Sequence, residues 1–229
     1  RAPECAGGGH HRRCAETLIG SNVMIVIVDY KMGNLRSILN MLKKIGAPAT
    51  ITSDVEEIRS ADRLILPGVG SFDHGMRNIR ERGLLDVLNE KVLQKKTPVL
   101  GICLGMQLLS RRSEEGHLPG LGWIAADTIR FHFNGEQQDL KIPHMGWNTV
   151  EVARDDSLFQ NLTGEDTRFY FVHSYHVVCE HEADVLARTN YGLPFVSSVQ
   201  HGHILGTQFH PEKSHRYGMH LLKNFVEYA

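Results

Sequence analysis

Regular patterning begins at residue 24. "MIVIVDY" (Met24–Tyr30) is a continuous apolar run closed by Asp29 and Tyr30, the pattern of a strand buried on both faces in a parallel sheet. Asn34 then stands where a helix cap belongs. Leu35, Ile38, Leu39, Leu42 and Ile45 recur at helical spacing through "LRSILNMLKKIGA", and Pro48 is the expected stop. "ATITS" reads as a second strand, "DVEEIRSA" as a short helix with an acidic head, and "DRLILPG" (Asp62–Gly68) as a third strand. Helical spacing covers much of Ser71–Lys96. "TPVLGIC" is a fourth strand, and Gly105 opens a further helix. Strands alternating with helices predict a parallel sheet joined by crossover helices.

Beyond about Arg112 the texture changes. "GWIAADTIRF", "WNTVEV", "TRFYFVHSYHVVC", "ADVLARTNYG" and "FVSSVQHGHILGTQFH" are strand-like and separated by Gly, Asn and Asp turns. "RYGMHLLKNFVEYA" reads as a closing amphipathic helix. The expected fold is α/β, an open and mostly parallel sheet flanked by helices, with a β-rich second half. One domain is expected over residues 24–229. The first 23 residues, "RAPECAGGGHHRRCAETLIGSNV", carry no periodicity and read as a disordered or appended tail. Their Cys5, His10, His11 and Cys14 match none of the usual zinc spacings.

Composition narrows the function classes. The chain has 229 residues, 41 % hydrophobic and 22 % charged, with a formal net charge of −1. That balance gives no support for a nucleic-acid or membrane surface. Of the cysteines, Cys103 and Cys179 lie far apart and show no CxxC spacing, so a disulfide framework is not indicated and a reducing, cytoplasmic setting is expected. The apolar run "VMIVIV" is too short for a membrane span.

The candidate chemistry starts at "GICLGMQLL" (Gly101–Leu109). Cys103 lies at a strand-to-helix junction with a glycine two residues to either side. A free cysteine in an apolar setting is commonly a core residue. The G-x-C-x-G spacing, however, is that of a nucleophile elbow, whose sharp turn brings flanking side chains against neighbouring elements. A helix N-terminus also favours a thiolate, and the N–H of Leu104 points where an oxyanion would form. A base is offered by "TQFHPEKS": His210 is followed two residues later by Glu212, which an extended segment places on the same side. "LPGVGSF" (Leu66–Phe72) ends a buried strand at the same sheet edge. Its Gly68 and Gly70 are expected to take backbone conformations closed to other residues.

Together these segments resemble the class I, or triad-type, glutamine amidotransferases. The elbow and "FHPEKS" carry the likeness to the class. "VDYKMGNLRSI", "LPGVGSFDHGM", "GICLGMQLL", "PHMGWNTV", "YFVHSYHV" and "GTQFHPEKSH" together resemble the glutaminase subunits of imidazole glycerol phosphate synthase, and "PHMGWN" and "DYKMGNL" are what narrow it to them. Lys31 departs from the pattern, where a smaller residue is expected.

The resemblance implies a chemistry. Cys103 attacks the side-chain amide of glutamine, His210 moves the proton to the leaving ammonia, and Glu212 supports the imidazolium. Leu104 and the Gly68–Val69–Gly70 segment hold the oxyanion. Gln107, one turn beyond Cys103, contacts glutamine, with His173, Ser174 and Tyr175 near its α-carboxylate end. No metal or organic cofactor is implied. The ammonia passes to a separate barrel-type cyclase subunit in a heterodimer, at an interface that includes Trp147 and Lys213. Two further readings share the motifs: a glutaminase for another acceptor, such as a bacterial surface-sugar amidotransferase, and a cysteine hydrolase built on the same elbow. A non-catalytic scaffold is the third, disfavoured by the intact Cys103, His210 and Glu212. His74, His117, His132, His201, His203, His215 and His220 read as surface or satisfied polar residues, and Trp123 and Phe131 as core or sheet-face residues.

Overall fold

The computed structural model describes residues 23–135, 139–154, 157–162, 164 and 167–228. The expected tail, with Cys5, His10, His11 and Cys14, lies outside them except for Val23.

The first half builds the expected parallel sheet. Its strands are β1 (Ile25–Val28), β2 (Ala49–Thr52), β3 (Arg63–Gly68) and β4 (Val99–Cys103). β1 pairs in parallel with β2 and β3, and β3 with β4. β12 (Ile204–Thr207) then adds to the free side of β4, also in parallel, although it comes late in the chain. β4 is therefore flanked on both sides by parallel strands whose carboxyl ends rise together. Gly68 is in register with Cys103, and Thr207 with Ile102.

Alternation along the buried strands splits the core in two. Val26, Val28, Leu64 and Leu66 face one cluster, under α2 (Val55–Ser60), α3 (Phe72–Glu81), α4 (Leu84–Asn89) and α5 (Leu104–Leu108). Ile25, Ile27, Ile65, Leu100 and Ile102 face the other, with α1 (Leu35–Lys44) and α6 (His215–Tyr228). This is why β1 reads as an unbroken apolar run: both of its faces are covered.

Local chemistry sets the helix ends. Asn34 Oδ1 accepts from the Ser37 N–H at 3.3 Å, as its cap role requires. α1 stops before Pro48, because Gly46 at φ +77° already turns the chain out of the helix. The helical stretch after Ser71 is divided at Gly83, φ +66°, and α4 runs on into a wider π turn over Glu90–Gln94. α5 begins at Leu104, one residue earlier than expected.

The second half continues the sheet with antiparallel strands. β11 (Leu193–His201) pairs with β12, β10 (Val185–Tyr191) with β11, and β7 (Glu151–Val152) with β10. β9 (Tyr175–Cys179) joins β11 to β5 (Ala126–Arg130). A separate two-stranded sheet is made by β6 (His144–Thr149) and β8 (Arg168–His173). The run "TRFYFVHSYHVVC" is thus two strands rather than one. It changes sheets at Ser174, which lets neighbouring residues on either side of that break approach the same cavity.

Lys31, the residue out of pattern, sits at φ +65°. Such a conformation strains a residue with a Cβ. The Asp29 carboxylate holds it there, accepting from the Lys31 N–H at 2.9 Å and from its Nζ at 3.1 Å.

Candidate active site

Cys103 is the last residue of β4 and caps α5, at φ +54° and ψ −108°. A non-glycine residue held in this region carries strain of about 1–3 kcal/mol. The flanking glycines make the turn possible. A Cβ on Gly101 would lie 2.7 Å from the Gly105 carbonyl oxygen, and one on Gly105 would overlap the Leu66 carbonyl oxygen. Elbow and sheet interlock backbone to backbone.

His210 follows β12 by three residues, at the carboxyl edge beside Cys103. Its N–H donates to the Tyr170 carbonyl at 2.9 Å. Ser214 Oγ donates to the His210 carbonyl at 2.6 Å and accepts from the Tyr170 N–H at 3.0 Å. The His210 backbone is thereby pinned against β8. Its Nδ1 lies 2.7 Å from Glu212 Oε1, with both side chains buried. The route to this pair differs from the expected extended i, i+2 arrangement. Pro211–Lys213 form a single 3₁₀ turn, and the tight turn folds Glu212 back onto the ring.

Burial alone would push His210 down. The interactions with Cys103 and then Glu212 outweigh it and hold the imidazole up at about 10. His210 Nε2 is buried and has no hydrogen-bond partner among the described residues, while Cys103 is near enough to raise the imidazole. A nucleophile and its base commonly close their hydrogen bond only when substrate binds.

A cavity of about 490 Å³ opens over Cys103. Leu104, Gln107, Val69, Gly70, His173, Ser174 and Tyr175 line it, so the structure brings most of the expected substrate and oxyanion residues around the thiol. Gly68 stands behind the lining. It has no positive φ, and its role is close approach: a side chain there would collide with the Tyr30 hydroxyl and crowd Leu104. Gly70 does adopt φ +112°. Trp147 and Lys213 stand away from the cavity lining, with Trp147 46 % exposed.

Three residues at the site escape sequence reasoning. Gln208 Nε2 points at Cys103 Sγ at 3.8 Å, and its Oε1 accepts from Gln107 Nε2 at 3.1 Å. Glu115 lines the cavity, and its Oε2 accepts from the Phe72 N–H at 2.8 Å. His144 touches His173, with Nδ1 3.1 Å from His173 Nε2. The motifs "PHMGWN" and "TQFHPE" contain two of them, but nothing in their spacing shows that they converge. A larger cavity of about 610 Å³ lies beside Arg111 and Arg112. Both arginines are ion-paired to Asp127, and neither Cys103 nor His210 reaches it.

An elbow cysteine on a parallel strand, a buried imidazole held by a carboxylate, and an open cavity over the thiol give this α/β fold the groups that acyl transfer requires: a nucleophile, a base and room for a substrate. The chain belongs to the class I glutamine amidotransferases: the family described as Glutamine amidotransferase class-I matches residues 26–228. Within that class the similarity narrows, as the motifs predict. The chain is 55 % identical over 206 residues to imidazole glycerol phosphate synthase subunit HisH 2 of Methanococcus maripaludis, covering 90 % of this chain and 100 % of that one. It is 51 % identical to the protein of the same name from Pseudomonas aeruginosa, over 89 % of this chain and 99 % of the other. Among solved structures, PurLQS from Thermotoga maritima superposes with a TM-score of 0.66 at 17 % identity, covering 90 % of this chain and 98 % of that chain, a likeness of fold. The expected family and fold both hold.

Proposed function

We propose that this chain is the glutaminase of an imidazole glycerol phosphate synthase, releasing ammonia from glutamine for a partner subunit. The relatives named above, similar over nearly their whole length, support the pathway. The observation that carries the chemistry is the convergence of Cys103, His210 and Glu212 at the carboxyl edge of β4 and β12.

In this reading Cys103 Sγ attacks the carboxamide carbon of glutamine. His210, having taken the thiol proton to stand as an imidazolium beside the thiolate, gives it to the nitrogen as the C–N bond breaks, releasing ammonia. Glu212 keeps the imidazole oriented and favours its cationic form. The tetrahedral oxyanion is held by the Leu104 N–H and by an N–H from the Gly68–Val69–Gly70 segment. Water then cleaves the glutamyl thioester to glutamate, with His210 as base. Gln107 contacts the substrate, and His173, Ser174 and Tyr175 lie toward its α-carboxylate. Glu115 faces the cavity with a carboxylate suited to the α-ammonium group.

The partner in this reading is a barrel-type cyclase on a separate chain, joined as a heterodimer, and the setting is cytoplasmic. No helix among the described residues is long and apolar enough to cross a membrane. The test is reconstitution. The chain mixed with an imidazole glycerol phosphate synthase cyclase subunit should give glutamine-dependent product. Glutamate release without transfer to that cyclase's substrate would assign it to another acceptor.

A further inference from the structure

Hydrogen bonds run in one direction from β6 to the substrate cavity. At one end, Asn148 has its amide orientation fixed twice: Oδ1 accepts from the Thr149 N–H at 2.8 Å, and Nδ2 donates to the Asn190 carbonyl at 2.9 Å. Its Nδ2 also lies 3.3 Å from His144 Nε2, so that ring nitrogen must accept. A neutral imidazole then carries its proton on Nδ1, which faces His173 Nε2 at 3.1 Å. His173 Nε2 therefore accepts and its Nδ1 donates. The atom it meets, at 2.7 Å, is the Tyr175 carbonyl oxygen, which can only accept. Read from that end, the carbonyl forces the same assignments in reverse. The two ends agree, and no link in the chain is left with two donors or two acceptors.

Both rings suit this neutral, directed state. They are buried, with His144 3 % and His173 6 % exposed. Burial pushes His144 down to about 4 and His173 down to about 3.

The same carbonyl anchors the far side of the cavity. Gln107 Nε2 donates to it at 3.1 Å and gives its other hydrogen to Gln208 Oε1 at 3.1 Å. That leaves Gln208 Nε2 for Cys103 Sγ. With both N–H groups committed, Gln107 can present only its Oε1 to the cavity it lines.

We propose that His144 and His173 are positioning residues: they hold the Tyr175 carbonyl where it takes an N–H of Gln107, and so keep the Gln107 carboxamide turned with its acceptor oxygen toward an N–H donor of the substrate. The choice of substrate rests on the glutaminase reading above. The hydrogen-bond chain does not, because it is fixed by this protein's own groups.

Two measurements test it. In long-range proton–nitrogen spectra of histidine-labelled protein, His144 and His173 should both be neutral at pH 7 with the proton on Nδ1. A proton on Nε2 of either ring overturns the chain, whatever the protein's activity. The second measurement is glutamine hydrolysis in the complex with the partner subunit. His144→Phe should raise KM for glutamine about five- to tenfold, the weight of one neutral hydrogen bond, with kcat changing less than about twofold. His144→Asn, whose amide N–H falls near the place of Nδ1, should recover most of that loss. An unchanged KM in His144→Phe, or equal losses in both variants, overturns the positioning role. If His144→Phe does not fold, the His144→Asn kinetics and the spectra still decide. A wild-type complex without glutaminase activity would refute the functional reading while leaving the tautomers to judge the chain.

Discussion

A side chain on Gly105 would overlap the carbonyl oxygen of Leu66, so the first turn of α5 lies directly against β3. The obstacle is backbone and cannot rotate away. Gly105→Ala should therefore push α5 off the sheet and carry Cys103 with it. Overpacking of this kind costs about 1–3 kcal/mol. Chemical denaturation should show the lowered midpoint, and glutaminase activity should fall further than stability alone explains. A variant with wild-type midpoint and activity would show that the elbow tolerates a wider turn.

Much of this was legible in the sequence because it is local. The apolar run of β1, the Asn34 cap and the glycines around Cys103 each declare themselves within a few residues. What stayed hidden depends on tertiary context. β12 pairs with β4 across about half the chain, and only that pairing brings His210 to Cys103. The 3₁₀ turn after His210 was masked by an alternation that looked extended. The break at Ser174 was masked by a strand-like run whose two halves belong to different sheets. Gln208 and His144 were invisible as site residues, since each acts on a group brought in from a distant strand.

Cys103→Ala should abolish glutamine hydrolysis, because no other described nucleophile takes part in the proposed acyl transfer. Its complex with the cyclase partner should still form product from added ammonium salts, since the proposed function places that chemistry on the partner. Residual glutamine turnover above about one part in a thousand would remove Cys103 from the nucleophile's role. The threshold is set by the large losses typical of triad deletions.

His210 carries a raised value in the folded protein, sustained by Cys103 and Glu212 against burial. The unfolded imidazole titrates near the ordinary value of about 6.5. The pair's contribution to stability is thus complete below that value and is lost as pH rises toward about 10. Melting temperature should fall between pH 6.5 and 9.5 in the wild type. The fall should be shallower in Glu212→Gln, where one source of the shift is gone. Parallel curves for the two proteins would mean that Glu212 does not support the charged imidazole.

Gln208 Nε2 donates toward Cys103 Sγ at 3.8 Å. Gln208→Met keeps the length of the side chain and removes the donor. Sulfur anions are stabilised by such donors, and a hydrogen bond to a charged group is worth about 1.5–3 kcal/mol at good geometry. At this longer distance a loss of about three- to tenfold in the rate of Cys103 alkylation by iodoacetamide is expected. An unchanged rate would limit Gln208 to holding Gln107.

The last prediction concerns the surface bearing Trp147 and Lys213. Trp147 lies on β6 with its ring stacked on His215, centroids 5.3 Å apart and planes 3° from parallel, and it meets Tyr170 edge-on at 6.0 Å. Lys213 Nζ stands over the Tyr170 ring at 5.4 Å. An aromatic group 46 % exposed contributes little to the fold of its own chain and a great deal to a partner that covers it. Tyr170 ties this patch to the site, because its carbonyl accepts the His210 N–H. Trp147→Ala should leave the melting temperature within a few degrees and Cys103 alkylation unchanged. Affinity for the cyclase subunit should fall by about 30-fold or more, the loss of one interface anchor worth about 2 kcal/mol. The isolated chain should hydrolyse glutamine poorly, and the ligand-bound partner should stimulate it strongly. The Gly68–Val69–Gly70 segment has the backbone freedom to bring an N–H to the oxyanion when the partner favours that arrangement. In Trp147→Ala, saturating partner should restore part of that stimulation. Undiminished affinity would place the partner on another face. Full activity without any partner would refute the control while leaving the roles of Cys103, His210 and Glu212 untouched.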